Sequence, residues 1–125
     1  MKYYSYFFTR QDISPEQQIV QTAHAAFQLG VNSQRWTDED KRLENQQVSY
    51  EIYPEETHFT VVGVRNGNAL RAVRLILDKF EIEYEAFIEP DFEGGEEITS
   101  IAVYPIAEDK KGPLDAFNLL TIGRK

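Results

Sequence analysis

The chain has 125 residues, of which 42% are hydrophobic and 27% charged, as is typical of one globular domain and not of a disordered segment. It contains no cysteine, which excludes disulfides, thiolate metal ligands and a cysteine nucleophile. No apolar run approaches the roughly 20 residues that span a bilayer, and no small-residue cleavage site follows the tyrosine-rich start, so we expect a cytoplasmic protein. The net charge of −8 opposes binding to a polyanion.

The first third of the chain predicts a strand followed by a helix. Residues 2–9 are aromatic and β-favouring. Ser14 is a helix-capping residue, Pro15 suits the first helical position, and the helix is predicted to run to Leu29 and to end at Gly30. Its apolar residues recur at helical spacing, so we expect them to face the core: Ile19, Val20, Ala23, Ala26 and Phe27.

The remainder predicts further strands and helices in alternation. The polar segment 31–47 favours only a short helix ending at Leu43, and residues 48–53 fit either a strand or an extended loop. Beyond them the predicted order is a strand at 58–64, a helix at 68–80, a strand at 84–88, an acidic loop at 90–97, a strand at 98–104 and a short helix at 112–120. The buried residues expected on the 68–80 helix are Leu70, Val73, Ile76, Leu77 and Phe80.

This alternation predicts one α/β domain over residues 1–125. Helices that connect strands of one sheet imply crossovers, because parallel neighbours cannot be joined by a tight turn. We therefore expect a mixed, mostly parallel four-stranded sheet with helices on both faces. Trp36 and the tyrosines are candidates for an interface in a homodimer.

A polar stripe runs along the first predicted helix. Gln17, Gln21, His24 and Gln28 are four, three and four residues apart and so share one face. Three amides and an imidazole can donate and accept hydrogen bonds to an ester or amide group. The alternative is a solvated helix face.

Two short motifs in this region carry a family resemblance. Arg10-x-Asp12-Ile13 followed by Gln21-x-x-His24-Ala25-Ala26 resembles the signature of type 2 peptidyl-tRNA hydrolases. The later strands and helix follow in the family's order, so that the likeness covers nearly the whole chain. Asp91 resembles the family's catalytic aspartate, and Thr99 resembles a threonine that lines its cleft. The resemblance implies that family's fold and a site built on these residues.

The same region departs from the family pattern. The family has a glycine- and lysine-rich stretch at the start of its first helix, whereas this chain reads Ser14-Pro15-Glu16-Gln17-Gln18. Gln17 stands where the resemblance would place the catalytic lysine, and no lysine occurs between Lys2 and Lys41. The segment between Asp91 and Thr99 is shorter than in the family and strongly acidic.

The resemblance implies a divergent hydrolase of peptidyl- or aminoacyl-tRNA, or of a smaller related ester. The residues expected at its site are, for catalysis, Asp91, His24, Gln17 and Thr99 and, for substrate binding, Gln21, Arg10, Arg71 and Arg74. Two alternatives remain open: a non-catalytic module that binds a basic protein through its acidic surface, and a domain that binds a small molecule in the same cleft. With two histidines and no cysteine, the sequence predicts neither a metal nor a cofactor.

Overall fold

Helices and strands alternate in a computed structural model of the protein, which describes residues 2–33, 57–115 and 117. The elements are β1 (Tyr3–Arg10), α1 (Pro15–Ser33), β2 (Thr57–Val64), α2 (Gly67–Lys79), β3 (Tyr84–Phe92), β4 (Gly95–Val103) and β5 (Ile106–Ala107), followed by two 3-10 turns at Glu108–Lys110 and Gly112–Leu114. Trp36, the helix predicted up to Leu43 and the segment 48–53 lie outside the described residues, as does the end of the predicted C-terminal helix.

The sheet is mixed, with the strand order β2-β1-β4-β3 and β5 paired to β1. Only the β1–β2 pair is parallel among the four described pairings, because β4 runs antiparallel to both β1 and β3, and β5 is antiparallel to β1. The prediction of a mostly parallel, four-stranded sheet is therefore wrong. A tight turn between β3 and β4 makes those two strands antiparallel, whereas the sequence predicts an acidic loop at that position.

That turn replaces the predicted acidic loop at 90–97. Glu93 and Gly94 have φ values of 47° and 89°, and two successive residues with positive φ are the requirement of a two-residue type I′ hairpin. Its twist matches that of the flanking strands, so the acidic residues on either side continue as strand. β3 extends to Phe92, and β4 begins at Gly95.

The two helices lie on opposite faces of the sheet, as predicted. Neighbouring residues of β1 point to opposite faces, so that Phe8 joins the larger cluster with α2 and Phe7 joins the smaller cluster with α1. Leu70, Val73 and Leu77 are buried on α2 as expected. Phe80 is half exposed, because the helix ends at Lys79 and Phe80 occupies its C-cap.

The predicted orientation of α1 is wrong. Ile19 and Phe27 are 59% and 74% exposed, and the residues that α1 buries are Gln18, Gln21 and Ala25. The sheet surface beneath α1 carries the hydroxyl groups of Thr99 and Ser100, which donate to the Gln21 side-chain oxygen and to its backbone carbonyl, so an amide is stabilised at this position more than an aliphatic side chain. Gln18 Nε2 donates instead to the Ile13 carbonyl at 2.9 Å. The helix also continues past Gly30 to Ser33, since a glycine inside a helix weakens it without ending it.

The start of α1 agrees with its sequence. Ser14 Oγ accepts a hydrogen bond from the Gln17 backbone N–H at 3.1 Å, which is the N-cap contact expected of serine. The cap fixes where the first turn begins, and with it the face on which Gln17 and Gln21 stand. Within the part of the chain that the structure describes, neither helix is long and apolar enough to cross a bilayer.

Candidate functional site

The polar stripe of α1 packs against the edge strand β3. Its residues meet alternate residues of the strand: Gln21 Nε2 donates to Glu89 Oε2 at 3.1 Å, the His24 ring stacks on Phe87 at 4.6 Å, and Gln28 Nε2 donates to Glu85 Oε1 at 2.8 Å. The stripe thus joins a helix to a strand over most of its length. Gln17, at its N-terminal end, and Gln21 are the two members that line an open cleft.

Gln21 is fixed from below by a β-bulge in β4. Phe87 pairs with Ser100 and Ile88 with Ile98, which leaves Thr99 as one extra residue on β4. A bulge re-aims side chains, and both hydroxyls here reach α1: Thr99 Oγ1 donates to Gln21 Oε1 at 2.7 Å, and Ser100 Oγ donates to the Gln21 carbonyl at 2.6 Å. Because Thr99 and Gln21 are both buried, these bonds hold the Gln21 amide in one orientation.

The cleft lies between the start of α1 and the end of β3. It has a volume of about 300 Å³ and is lined by Ile13, Gln17, Gln21, Glu89, Asp91, Phe92 and Glu93. Gln17 Oε1 accepts a bond from Gln21 Nε2 at 3.3 Å, while Gln17 Nε2 makes no hydrogen bond to any described residue. The Gln17 side chain can therefore donate two N–H groups to a ligand without breaking a contact.

The structure brings together four of the residues expected for the site. Gln17, Gln21 and Asp91 line the cleft, and Thr99 lies directly behind Gln21. His24 is on the same helix but is absent from the cleft lining, since its ring covers Phe87. The structure therefore does not bring His24 to the cleft with Gln17 and Asp91.

Arg10 supports the cleft from inside the protein and does not face it. It is buried, donates to both Asp12 carboxylate oxygens at 2.9 and 2.7 Å, and donates to the Ile98 carbonyl at 3.1 Å. Its guanidinium carbon lies 4.6 Å from the ring centroid of Phe92, which is part of the cleft wall. Arg10 is therefore placed to position Phe92 of the cleft wall, whereas the sequence predicts a contact with substrate.

Arg71 and Arg74 are on α2, across the sheet from α1, and neither lines the cleft. Arg71 donates to Glu97 Oε1 at 2.6 Å and to Asn68 Oδ1 at 2.8 Å. Arg74 donates to the Tyr84 hydroxyl at 3.1 Å. The structure therefore does not bring Arg71 and Arg74 to the cleft, and their contact with a phosphate stays a prediction.

Two carboxylates near the cleft have perturbed acidities. The hydrogen bond from Arg10 lowers the pKa of Asp12, and Asp12 in turn raises the pKa of Arg10. Arg71 lowers the pKa of Glu97 by a hydrogen bond, and Glu97 also lies 3.8 Å from Arg10 Nη1. These pairs stay ionised at neutral pH. Through Glu97 and the Ile98 carbonyl, the two arginines hold the first residues of β4 after the hairpin in place.

Glu89 is a cleft residue that the sequence reading missed. It lines the cleft and accepts a hydrogen bond from Gln21. The available signal was the spacing of Glu85, Phe87 and Glu89, which share one face of a strand because side chains alternate. That signal was hidden because the strand was predicted to end at Ile88.

A metal site has no candidate in the described ranges, where no three histidine, aspartate or glutamate side chains are grouped to hold an ion. The cleft instead offers amide N–H groups and carboxylate oxygens. Such a set can bind an ester or amide group and can accept a proton.

Comparison with known proteins supports the fold and indicates no function. No protein-family model and no curated protein sequence matches the chain. The solved structure of Atu0240, a protein of unknown function from Agrobacterium tumefaciens C58, is similar with a TM-score of 0.61 and 12% identity. The match covers 97% of this chain and 99% of that one. The two chains therefore share an architecture over nearly their full lengths.

Proposed function

We propose that the protein is a divergent ester hydrolase with the fold of the type 2 peptidyl-tRNA hydrolases, acting on an aminoacyl or peptidyl ester. The observation that carries the proposal is the shared cleft: Gln17 and Asp91 line it together, with Gln21 held between the Thr99 hydroxyl and the Glu89 carboxylate. A free amide donor beside a carboxylate acceptor is the minimum that ester hydrolysis requires.

The chemistry follows from these groups. Asp91 accepts a proton from a water molecule as that water attacks the ester carbonyl carbon. Gln17 Nε2 donates to the carbonyl oxygen as it becomes an oxyanion. The carbon–oxygen ester bond then breaks, and the proton held by Asp91 passes to the departing alkoxide, which leaves an acid and an alcohol.

Gln17, which stands where the resemblance would place a lysine, lowers the rate of ester hydrolysis and changes which ester is preferred. A neutral amide stabilises an oxyanion less than an ammonium does. Complete loss of one such donor costs about 100- to 1,000-fold in kcat, and because Gln17 still donates, its cost is below that range. Three carboxylates line the cleft, at Glu89, Asp91 and Glu93, and no lysine or arginine is among its described lining residues. This charge disfavours a tRNA polyanion and favours a small ester with a free α-ammonium group.

The test is ester hydrolysis by the wild type and three variants. We expect turnover of small aminoacyl esters that falls by about 100-fold or more in Asp91→Asn, because the base is lost. Glu96→Gln changes an exposed carboxylate outside the cleft and should leave the rate unchanged. Gln17→Lys should raise the rate on peptidyl-tRNA, since it restores a charged donor. Equal turnover by the wild type and Asp91→Asn would contradict the proposal.

A second candidate function is a non-catalytic module that binds a basic protein segment. The specific observation in its favour is the same group of three cleft carboxylates, which would complement lysine or arginine side chains. Binding of an arginine-rich peptide, weakened by salt and by Glu93→Gln, with no esterase activity in the wild type, would favour this function. Activity that appears only in Gln17→Lys would point the same way.

A further inference from the structure

α1 exposes an apolar face that the sheet does not cover. The residues that form this apolar face are Ile19, Val20, Ala23, Phe27 and Val31 of α1 together with Phe59 of β2. Four of the helical positions are spaced four residues apart and so form one continuous ridge. The large side chains of the face are 41% to 74% exposed, and Phe27 is the most exposed of them. Together they present on the order of 500 Å² of apolar surface, near the upper end for a monomer.

A groove runs beside this ridge. It has a volume of about 340 Å³, and its walls are formed mainly by apolar side chains of α1, β1 and β2: Phe7, Ile19, Ala23, Ala26, Phe59 and Val61. The groove is large enough for one aromatic side chain. Its walls offer water few partners, so filling it with an apolar group is favourable.

The charge distribution favours a second copy of this chain as the occupant. The chain carries a net charge of −8, and two such chains repel each other wherever their acidic surfaces meet. α1 is nearly free of charge, because Glu16 is its only aspartate, glutamate, lysine or arginine between Pro15 and Ser33. Contact through α1 therefore brings two copies together where repulsion is weakest.

We propose that the apolar face of α1 is the contact surface of a homodimer, in which Phe27 of each copy enters the groove of the other. A two-fold axis makes such an exchange reciprocal. Two faces of this size bury on the order of 1,000 Å² in total, which is the lower bound for a specific interface. The dimer is thus of modest affinity, and it is independent of any activity in the cleft.

The first test is the mass in solution by sedimentation equilibrium. We expect the wild type to approach twice the chain mass of 14.5 kDa at high micromolar concentration. Phe27→Glu should raise the dissociation constant on the order of 100-fold, because it buries an unpaired charge at the centre of the contact. Leu75→Glu is the matched control, since Leu75 is 70% exposed on α2 and outside the apolar face; it should leave the dimer intact.

Salt and cross-linking make the test independent of how well Phe27→Glu folds. Higher salt should strengthen the dimer, because screening reduces repulsion between the acidic chains. Since the chain lacks cysteine, Ala23→Cys should give a disulfide-linked dimer under mild oxidation, whereas Leu75→Cys should not. A monomeric wild type, or a dimer unchanged by Phe27→Glu, would overturn the proposal, as would equal cross-linking of the two cysteine variants.

Discussion

Two buried threonines give opposite predictions for the same substitution. Thr99 Oγ1 donates to Gln21 Oε1 at 2.7 Å, and both residues are at most 4% exposed. Thr99→Val keeps the shape of the side chain and leaves the Gln21 oxygen buried without that donor, which costs about 1–3 kcal/mol. Thr9 Oγ1 is equally buried and makes no hydrogen bond to a described residue. Thr9→Val should therefore be neutral or stabilising by up to about 1 kcal/mol.

Urea denaturation measures both variants. We expect Thr99→Val to lower the midpoint at a constant m-value, and Thr9→Val to leave the midpoint unchanged or to raise it. The double variant Thr99→Val, Gln21→Leu should recover part of the loss, because the orphaned acceptor is then removed. Equal destabilisation by the two valine substitutions, or no loss in Thr99→Val, would refute the assigned role of the bulge.

Three further predictions concern packing and charge around the cleft. Arg10 lowers the pKa of Asp12 in the folded protein. The pair therefore stabilises the fold above the ordinary aspartate pKa of about 3.9, and this stability is lost as the pH falls through the lower folded-state pKa. The difference in unfolding free energy between the wild type and Asp12→Asn should close on acidification below about pH 4. A Cβ atom at Gly67 would lie 2.9 Å from Arg10 Nη1, and that guanidinium is held by hydrogen bonds to Asp12 and the Ile98 carbonyl. Gly67→Ala should therefore destabilise the wild type by roughly 1 kcal/mol and should stabilise an Arg10→Met background, as denaturation would show. Ala25→Leu should cost about 1–3 kcal/mol at the buried α1–sheet contact, whereas Ala72→Leu on the exposed side of α2 should change stability by less than about 0.5 kcal/mol.

The sequence predicts the types and order of the described elements well, because their signals are local. The Ser14 cap, the Asn66 turn before α2 and the apolar run of β2 each depend on neighbouring residues, and each appears in the structure. The bounds of these elements agree to within a few residues. The alternation of helices with strands was likewise enough to predict helices on both faces of the sheet.

The orientation of α1 could not be predicted in the same way. The helix carries an apolar stripe and a polar stripe, and hydrophobicity favours burying the first. Which stripe is buried depends on the surface beneath the helix. That surface includes Thr99 and Ser100, whose side chains both face α1 only because of a bulge far along the chain. A non-local irregularity of this kind leaves no periodic signal.

The site residues show the same difference between what the sequence indicates and what burial decides. Gln17, Gln21 and Asp91 were placed in one cleft by a resemblance that joins distant segments, and the structure brings these three together. Arg10 was expected to contact substrate, but it is enclosed by Asp12 and Phe92. Spacing indicated which residues share an element, whereas burial decided which of them a ligand can reach.

The most direct test of the central claim compares kcat/KM of the wild type for three esters of one amino acid: a small ester with a free α-amine, its N-acetylated form, and the N-acetylated ester of tRNA. We expect the free amine to be hydrolysed fastest, because its ammonium meets the carboxylates Glu89, Asp91 and Glu93. The tRNA ester should be the slowest, and its rate should rise when salt screens the repulsion. Preference for the tRNA ester, or equal rates with and without the ammonium, would contradict the account.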